Sequence, residues 1–582
     1  MGAIRSSPSW GEPSGTQWWI LGFAHAGFGI VFELRSTKGI SISEEGRPDM
    51  TEQHRPHAEN EGTPGGQGAG GRSARLIWGL RAFGLLLALL VWIAMGYAEG
   101  LSSDARWVAT IGTLMAVWWM TEAIPLSATA LLPIVLIPML TERTVNQATA
   151  PYASPIVFLF LGGFLIAIAM EKWNLHRRIA LLTLIRVGVE PKRIVLGMML
   201  ATGFLSMWVS NTATTLMMLP IGLSVLRLVA DRSGESMETT TSGHDHHRAG
   251  HVDFIFDENI KRFGVCLLLA IAWSASMGGL GTLLGSPPNA IVAGYAADEL
   301  GRNIGFLEWM MLGVPLAFTF ILVGWVLMTR VLYRFDVAEI PGGKEMIEGE
   351  IHKLGPLSQG EKMVMAVFGS AAFLWVVPGV LGNIPGVGER LGPLGALDDT
   401  AIAIAAGIAL FILPARGRSE MVLNWHDAED GLPWGVLLLF GGGLSLAGAV
   451  AGTGLDSWFG EQITGLEVLP ILLLVAAIAT IVLFLTEVTS NTATAATFIP
   501  VLGGVAVGIG ADAMTLLIPA AFAATCAFML PVGTPPNAIV FGTGAVTIAQ
   551  MARGGVVLNI IGIVLITAFC YMLGGFALGL QF

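Results

Sequence analysis

The pentapeptide Ser-Asn-Thr-Ala-Thr occurs twice, at residues 210–214 and 490–494, each time in the middle of a long apolar stretch. Side-chain oxygens of Ser, Asn and Thr accept hydrogen bonds from the free backbone amides at the start of a helix. A half-helix that begins at membrane depth also directs those amides and its positive dipole end at an anion. The pattern therefore predicts two helix restarts, each able to bind an anionic group.

Two further strings complement the first pair. They are Gly-Ser-Pro-Pro-Asn at 285–289 and Gly-Thr-Pro-Pro-Asn at 533–537. Consecutive prolines remove backbone donors and interrupt a helix, which leaves carbonyl oxygens free to coordinate a cation. These are hard oxygen ligands with no thiol or imidazole nearby, so they favour Na+ over a transition metal. The two kinds of motif therefore predict an anion site beside a cation site in each half of the chain.

The charged residues within the predicted membrane spans determine how the charge of a bound anion is balanced. Their interiors contain essentially no Lys or Arg. An anion buried with hydroxyls, amides and dipoles alone would be poorly compensated, because an unpaired buried charge is costly. Two or more co-bound sodium ions would supply the missing positive charge.

Composition places these strings in a membrane protein. Of 582 residues, 54% are hydrophobic and only 13% are charged, too few to cover a soluble surface. The net charge of −11 and the scattered basic residues argue against a nucleic-acid partner. Three widely separated cysteines give no disulfide framework or spaced metal site. The fold class is therefore predicted to be all-α and polytopic.

About eleven apolar stretches are long enough to cross a bilayer as helices. They are residues 77–98, 106–124, 126–141, 154–171, 263–297, 304–330, 362–383, 399–415, 432–452, 512–544 and 554–580. Two more stretches, 194–229 and 468–508, are too long for one span and carry the pentapeptides in their middle. We expect both to be re-entrant hairpins, since irregular backbone at membrane depth is tolerated where it lines a cavity.

The chain divides into a tail, a first helix and two repeats. Residues 1–76 are predicted to be a disordered tail, of which 1–49 would be an artefact if translation starts at Met50. The first transmembrane helix lies within 77–105. Repeat 1 covers 106–354 with a polar cytoplasmic insert at 231–262, and repeat 2 covers 355–582.

Matched spacings support the repeat. Gly162 precedes Asn211 by 49 residues, and Gly442 precedes Asn491 by the same number. Each repeat has five crossings and one hairpin, and an odd number of crossings forces the second copy to lie upside down. Inverted repeats with paired broken segments are typical of secondary transporters.

The distribution of Lys and Arg predicts the orientation. With a cytoplasmic N-terminus, the inside loops hold 19 of these residues and the outside loops hold four. The positive-inside rule therefore places the N-terminus in the cytoplasm and the C-terminus outside the inner membrane.

Several strings resemble the divalent anion:sodium symporter (DASS) family of dicarboxylate, citrate and sulfate carriers. They are the two motif pairs above, Trp-Trp-Met-Thr-Glu-Ala-Ile-Pro at 118–125, Phe-Leu-Phe-Leu-Gly-Gly-Phe at 158–164 and Thr-Glu-Val-Thr-Ser-Asn-Thr at 486–492. The similarity covers about residues 77–582. It implies a homodimer in which a static scaffold part supports a transport part that carries both hairpins and moves as an elevator.

The resemblance also implies site residues. The first sodium site would use Ser206, Ser210, Asn211 and the backbone of Gly285, and the second would use Thr486, Ser490, Asn491 and Gly533. The substrate carboxylates would meet Asn211, Thr212, Asn491 and Thr492, with Ser286 and Thr534 beside them.

Other residues carry alternative interpretations. Glu487 is an acid within the second hairpin whose repeat partner is Met207; a structural hydrogen-bonding role is favoured over transfer of a coupling proton, and Glu122 has the same two interpretations. The His-rich segment 244–251 favours a solvated loop over a metal site.

The predicted function is sodium-coupled symport of C4-dicarboxylates such as succinate, malate and fumarate across the cytoplasmic membrane. The alternatives are a sodium-independent dicarboxylate exchanger and a sulfate or citrate:cation symporter. No filter-like string indicates a channel, and no nucleophile with its base stands at membrane depth, so an enzyme is not predicted.

Overall fold

The computed structural model describes residues 74–188, 190–232, 258–337, 343–382, 398–416, 420–462 and 469–582. These residues form helices, apart from one short antiparallel pair of strands, β1 (Pro414–Arg416) and β2 (Glu420–Met421). The predicted start-site artefact at 1–49, most of the tail and the His-rich segment lie outside the described residues.

The described helices before residue 355 are α1 (Ala74–Met95), α2 (Ser103–Thr121), α3 (Leu126–Thr129), α4 (Leu132–Leu140), α5 (Val145–Thr149), α6 (Pro155–Lys172), α7 (Leu175–Val187), α8 (Pro191–Ser206), α9 (Asn211–Arg232), α10 (Glu258–Gly278), α11 (Pro287–Glu299), α12 (Phe306–Leu327) and α13 (Gly343–Leu354). Short 3-10 turns cover Ala150–Ala153 and Leu283–Gly285, and α12 continues as a π-helical turn over Met328–Leu332.

The later helices are α14 (Gln359–Gly382), α15 (Asp399–Ile412), α16 (Trp425–Gly431), α17 (Trp434–Thr453), α18 (Leu455–Gln462), α19 (Ile471–Thr486), α20 (Asn491–Gly508), α21 (Ala513–Thr525), α22 (Pro535–Gly542) and α23 (Ile548–Leu578).

Within the described ranges, nine helical segments are long and apolar enough to cross a membrane, and four shorter apolar helices accompany them. The central one, α10, is buried along nearly its whole length, whereas α1 exposes most of its residues. This architecture confirms the predicted all-α polytopic class. That the chain crosses the membrane about eleven times stays a prediction.

Two predicted crossings are divided in the structure. The stretch 263–297 consists of α10 and α11 with residues 279–286 between them, and 512–544 consists of α21 and α22 with 526–534 between them. In each case the second helix begins at the first proline of the Pro-Pro pair, where a missing N–H costs no helical hydrogen bond. The prolines therefore restart a helix after an irregular segment.

The structure also contains a helix where the sequence predicts a loop. Helix α7 lies between the predicted span 154–171 and the predicted hairpin 194–229, and it buries Leu181 and Leu184 on one face. Its three arginines exclude it from the predicted spans, but they lie on an amphipathic helix. One of them, Arg178, pairs with the buried carboxylate of Glu361 in α14 at 2.7 Å. The presence of charged residues in a sequence does not by itself distinguish a loop from an amphipathic helix.

The two hairpins have the same local form. Helices α8 and α19 are each 16 residues long, and each is followed by four non-helical residues before the next helix begins at Asn211 or Asn491. The restarts therefore fall inside the two repeated pentapeptides.

Two glycines 280 residues apart, Gly162 and Gly442, allow close backbone packing. A methyl group at Gly162 in α6 would lie 2.4 Å from the carbonyl carbon of Ala403 in α15. A methyl group at Gly442 in α17 would lie 2.4 Å from the carbonyl oxygen of Ala130, directly after α3. Small residues at such contacts let helix backbones approach closely in a membrane protein.

Candidate cation and anion site

The first hairpin tip brings two polar side chains together. Helix α8 ends at Ser206 and α9 begins at Asn211, and the Ser206 hydroxyl lies 2.6 Å from the side-chain amide of Asn211. Ser210, directly before α9, accepts a hydrogen bond from the amide of Ala213 at 3.2 Å. The pentapeptide therefore caps a helix start, as its residue types predict.

Backbone carbonyls complete an oxygen cluster at this tip. When the NH2 group of Asn211 faces them, it donates to Ala275 O at 3.0 Å, Gly285 O at 3.2 Å and Ser206 Oγ at 2.6 Å. When the amide oxygen faces the same point, the Ser206 hydroxyl donates to it and the two carbonyls lie beside it. We call these four groups the first oxygen cluster. Carbonyl, amide and hydroxyl oxygens are the ligands of hard cations.

The second hairpin repeats this oxygen cluster, although Ser490 makes no side-chain capping bond at the start of α20. The NH2 group of Asn491 donates to Ala524 O and Gly533 O, each at 3.2 Å, and to Thr486 Oγ1 at 2.7 Å. In the other orientation the Thr486 hydroxyl donates to the amide oxygen at 2.7 Å. These groups form the second oxygen cluster. The structure thus brings six of the eight sequence-predicted metal residues into two matching clusters; the other two, Ser210 and Ser490, directly precede the asparagines.

Burial separates each cluster from bulk water. Ser206 and Thr486 are fully buried, the glycines at 285 and 533 are buried, and the two asparagines are partly buried. The ion pairs of the described residues lie elsewhere and include no member of either cluster. None of the described side chains that form ion pairs therefore supplies the positive charge that an anion would need here.

Two asparagines missing from the predicted site organise the irregular segments. The amide of Asn289 donates to Gly279 O and Thr282 O, both at 2.8 Å. The amide of Asn537 donates to Ala527 O and Leu530 O, both at 3.1 Å. Both side chains are fully buried. In the sequence, each of these two asparagines is the last residue of a Pro-Pro-Asn string.

The predicted substrate residues lie around these clusters. Ser286 accepts from the hydroxyl of Thr525 at 3.0 Å, and the carbonyl oxygen of Thr525 lies 3.5 Å from the Asn491 amide nitrogen. The first Pro-Pro string therefore contacts the second oxygen cluster through Thr525, another residue absent from the predicted site.

The other predicted substrate residues lie at the helix starts. Thr212 and Thr492 are partly exposed in the first turns of α9 and α20, and Thr534 is buried directly before α22. Two helix N-termini with partly exposed Asn-Thr pairs can donate to carboxylates, in line with the predicted anion site.

The remaining candidates have other positions. Glu122 ends α2 in the left-handed conformation with φ 49, and its backbone amide bonds Trp118 O. Glu487 is buried and accepts hydrogen bonds from backbone amides. Within the ranges that the structure covers, no group of three His, Cys, Asp or Glu side chains could hold a metal.

Comparisons with known proteins identify the family to which the chain is similar. Residues 76–577 match the model of the family described as "Sodium:sulfate symporter transmembrane region". The chain is 40% identical over 503 residues to the sodium-dependent dicarboxylate transporter SdcS of Staphylococcus saprophyticus, covering 86% of this chain and 92% of that one. It is 40% identical over 497 residues to the protein of the same name from Staphylococcus aureus strain MRSA252, covering 85% and 91%.

Two solved structures share the fold at low identity. The YdaH transporter of Alcanivorax borkumensis aligns with a TM-score of 0.52 and 13% identity, over 82% of this chain and 99% of that one. Neisseria gonorrhoeae MtrF aligns with a TM-score of 0.50 and 12% identity, over 84% and 97%. At these identities the likeness concerns the fold alone.

Proposed function

We propose, because this chain belongs to the sodium:sulfate symporter family, that it couples Na+ to the transport of C4-dicarboxylates such as succinate, malate and fumarate. The observation that carries the proposal is the pair of matching oxygen clusters at Asn211 and Asn491. The name of the staphylococcal relatives, sodium-dependent dicarboxylate transporter, supports the same substrate class.

The chemistry of each cluster favours a cation. Two carbonyl oxygens and a hydroxyl converge on one side-chain amide at 2.6–3.2 Å in both halves. A sodium ion between these oxygens would replace the amide NH2 as their partner once the asparagine oxygen turned toward them. The sodium sites would also draw on Ser210 and Ser490, which directly precede the asparagines.

The anion would bind next to these ions. Asn211 and Thr212 open α9, and Asn491 and Thr492 open α20, so one substrate carboxylate could meet each helix start. Ser286 and Thr534 would contact the substrate from the two Pro-Pro strings. Two bound Na+ ions would offset the two charges of the dicarboxylate itself without a buried Lys or Arg. That balance couples the binding of the anion to the binding of the cations.

Transport would require the site to open in turn to each side of the membrane. The family resemblance implies a homodimer whose scaffold part stays fixed while the part carrying both clusters moves, and the paired hairpins suit such a movement. The protein would act as a transporter and not as an enzyme.

Uptake into proteoliposomes tests the function. Under an inward Na+ gradient, radiolabelled succinate is expected to accumulate without internal succinate, several-fold above the level with K+ replacing Na+. The control is a variant carrying both Asn211→Ala and Asn491→Ala. Uptake that ignores Na+ but requires internal succinate would identify an exchanger. Uptake of citrate or sulfate in place of succinate would identify the other alternative.

The orientation can be tested by cysteine labelling. We expect Glu461→Cys to react with a membrane-impermeant maleimide from outside and Lys344→Cys only from the cytoplasmic side. Both positions are exposed, whereas the native residues Cys266, Cys526 and Cys570 are buried and provide a low background. The reverse labelling pattern would overturn the proposed cytoplasmic N-terminus.

A further inference from the structure

Glu487 is a buried acid beside the second oxygen cluster. It follows Thr486 at the end of α19 and is 2% exposed. The corresponding position of the first hairpin, 280 residues earlier, is Met207. The two halves therefore differ in charge next to otherwise matching clusters.

The carboxylate of Glu487 binds the irregular segment between α21 and α22. It accepts hydrogen bonds from three consecutive backbone amides: Phe528 N at 2.7 Å, Met529 N at 3.0 Å and Leu530 N at 3.1 Å. The side-chain amide of Asn559 in α23 donates to it at 2.7 Å. Consecutive amides that converge in this way form an anion-binding nest.

This hydrogen-bond pattern suits an ionised carboxylate. Both oxygens of Glu487 receive N–H donors, Oε1 from residues 528, 529 and 559 and Oε2 from residues 529 and 530. A proton on either oxygen would point at a donor and break part of the nest. No described Lys or Arg forms an ion pair with it. The geometry therefore favours a fixed negative charge over a carrier of coupling protons.

The bound segment is the one that supplies the second cluster with carbonyls. Residues 528–530 lie between Ala524 and Gly533, whose carbonyl oxygens both face Asn491. Gly533 also packs against the backbone of Glu487, since a methyl group there would lie 2.9 Å from its carbonyl oxygen. Glu487 thus holds the carbonyl-bearing loop in place, and it carries a negative charge on the residue that directly follows Thr486 of the cluster.

The first half lacks this charge. There the hydroxyl of Thr282 donates to the backbone carbonyl of Met207 and so ties the irregular segment to the hairpin. The thioether of Met207 brings no charge to the first oxygen cluster. A cation bound at the first cluster would have only neutral oxygens around it.

We infer that the two cation sites are unequal, with Glu487 as the positioning residue and fixed counter-charge that makes the second site the tighter one for Na+. The inference rests on the proposed sodium coupling. The attraction between a buried carboxylate and a nearby cation is strong because the surroundings screen it poorly.

The Na+ dependence of succinate uptake tests this role in reconstituted full-length protein. Glu487→Gln is expected to weaken Na+ binding at the second site about tenfold and, because the weaker first site dominates the Na+ dependence of uptake, to raise the half-saturating Na+ concentration about twofold. Its maximal rate at saturating Na+ should fall as well, because the NH2 group of Gln would face a backbone donor of the nest. Glu487→Asp keeps the charge and should shift the half-saturating concentration much less. Met207→Leu, at the matching position of the first hairpin, is the control and should leave it unchanged.

The outcomes separate this inference from the proposed function. A wild-type protein whose uptake ignores Na+ would overturn both. Sodium-dependent wild-type uptake with an unshifted half-saturating concentration in Glu487→Gln, or with an equal shift in Met207→Leu, would overturn only the inequality of the sites. A lower maximal rate in the Gln and Asp variants alike, at unchanged Na+ dependence, would mean a purely structural role and would also refute it.

A second measurement does not depend on the folding of the Glu487 variants. Sodium should raise the melting temperature of Asn211→Ala, which keeps the second site, at lower concentration than that of Asn491→Ala, which keeps the first. We expect the two midpoints to differ about tenfold. Equal midpoints, or the opposite order, would contradict the inference.

Discussion

Asn211→Ala or Asn491→Ala is expected to lower Na+-dependent succinate uptake by about 100-fold, close to the background of empty liposomes. Each asparagine meets two backbone carbonyls and one hydroxyl at 2.6–3.2 Å, and each opens a helix whose amides would face the substrate. The substitution therefore removes a ligand from a cation site and from the anion site together. The methyl group of alanine supplies neither a ligand for the cation nor a hydrogen-bonding group for the anion.

The control for these variants is Asn303→Ala, which removes an exposed asparagine outside both clusters. It should transport like wild type. All three variants should elute as the same folded species in size-exclusion chromatography, because the affected side chains are only partly buried. Wild-type uptake by either cluster variant would refute the assignment of the two asparagines to the transport site.

Gly162→Ala and Gly442→Ala are each expected to destabilise the fold by about 1–3 kcal/mol. The added methyl groups would lie 2.4 Å from backbone atoms of Ala403 and Ala130, respectively. Packed backbone cannot rotate away as a side chain can, so the two segments in contact must separate and lose neighbouring contacts. The two substitutions should act alike, because each added methyl group would lie equally close to backbone of the other half of the chain.

Thermal unfolding in detergent, followed as the loss of the monodisperse peak on heating, measures this effect. Gly79→Ala is the matched control, since no atom lies within 4 Å of the added methyl group. We expect it to melt with wild type, whereas Gly162→Ala and Gly442→Ala melt several degrees lower. If all three variants melted together, the close approach of the helices would not contribute to stability.

Much of the site could be predicted because its residue types are informative. Ser-Asn-Thr within an apolar stretch predicts a helix start, and a proline pair predicts an interruption. The structure places α9 and α20 at Asn211 and Asn491 and begins α11 and α22 at the Pro-Pro pairs. The family resemblance is likewise confirmed by the match over residues 76–577.

Other site groups had no recognisable pattern. Ala275 and Ala524 contribute only carbonyl oxygens, which every residue has, so their side chains give no indication of a ligand role. Thr525 joins Ser286 to the second cluster across 239 residues of chain, a contact that local spacing does not encode. Helix α7 was missed because its arginines mask an amphipathic pattern.

The sequence by itself determined the membrane class, the family, the two hairpin tips and the asparagines at their centres, because hydrophobicity and helix-capping chemistry act over short stretches of chain. Only the tertiary structure decided which carbonyls face those asparagines and that Glu487 binds the amides of residues 528–530. Those contacts depend on how distant segments pack against one another. A backbone carbonyl becomes a ligand only when the fold directs it at a common point with others.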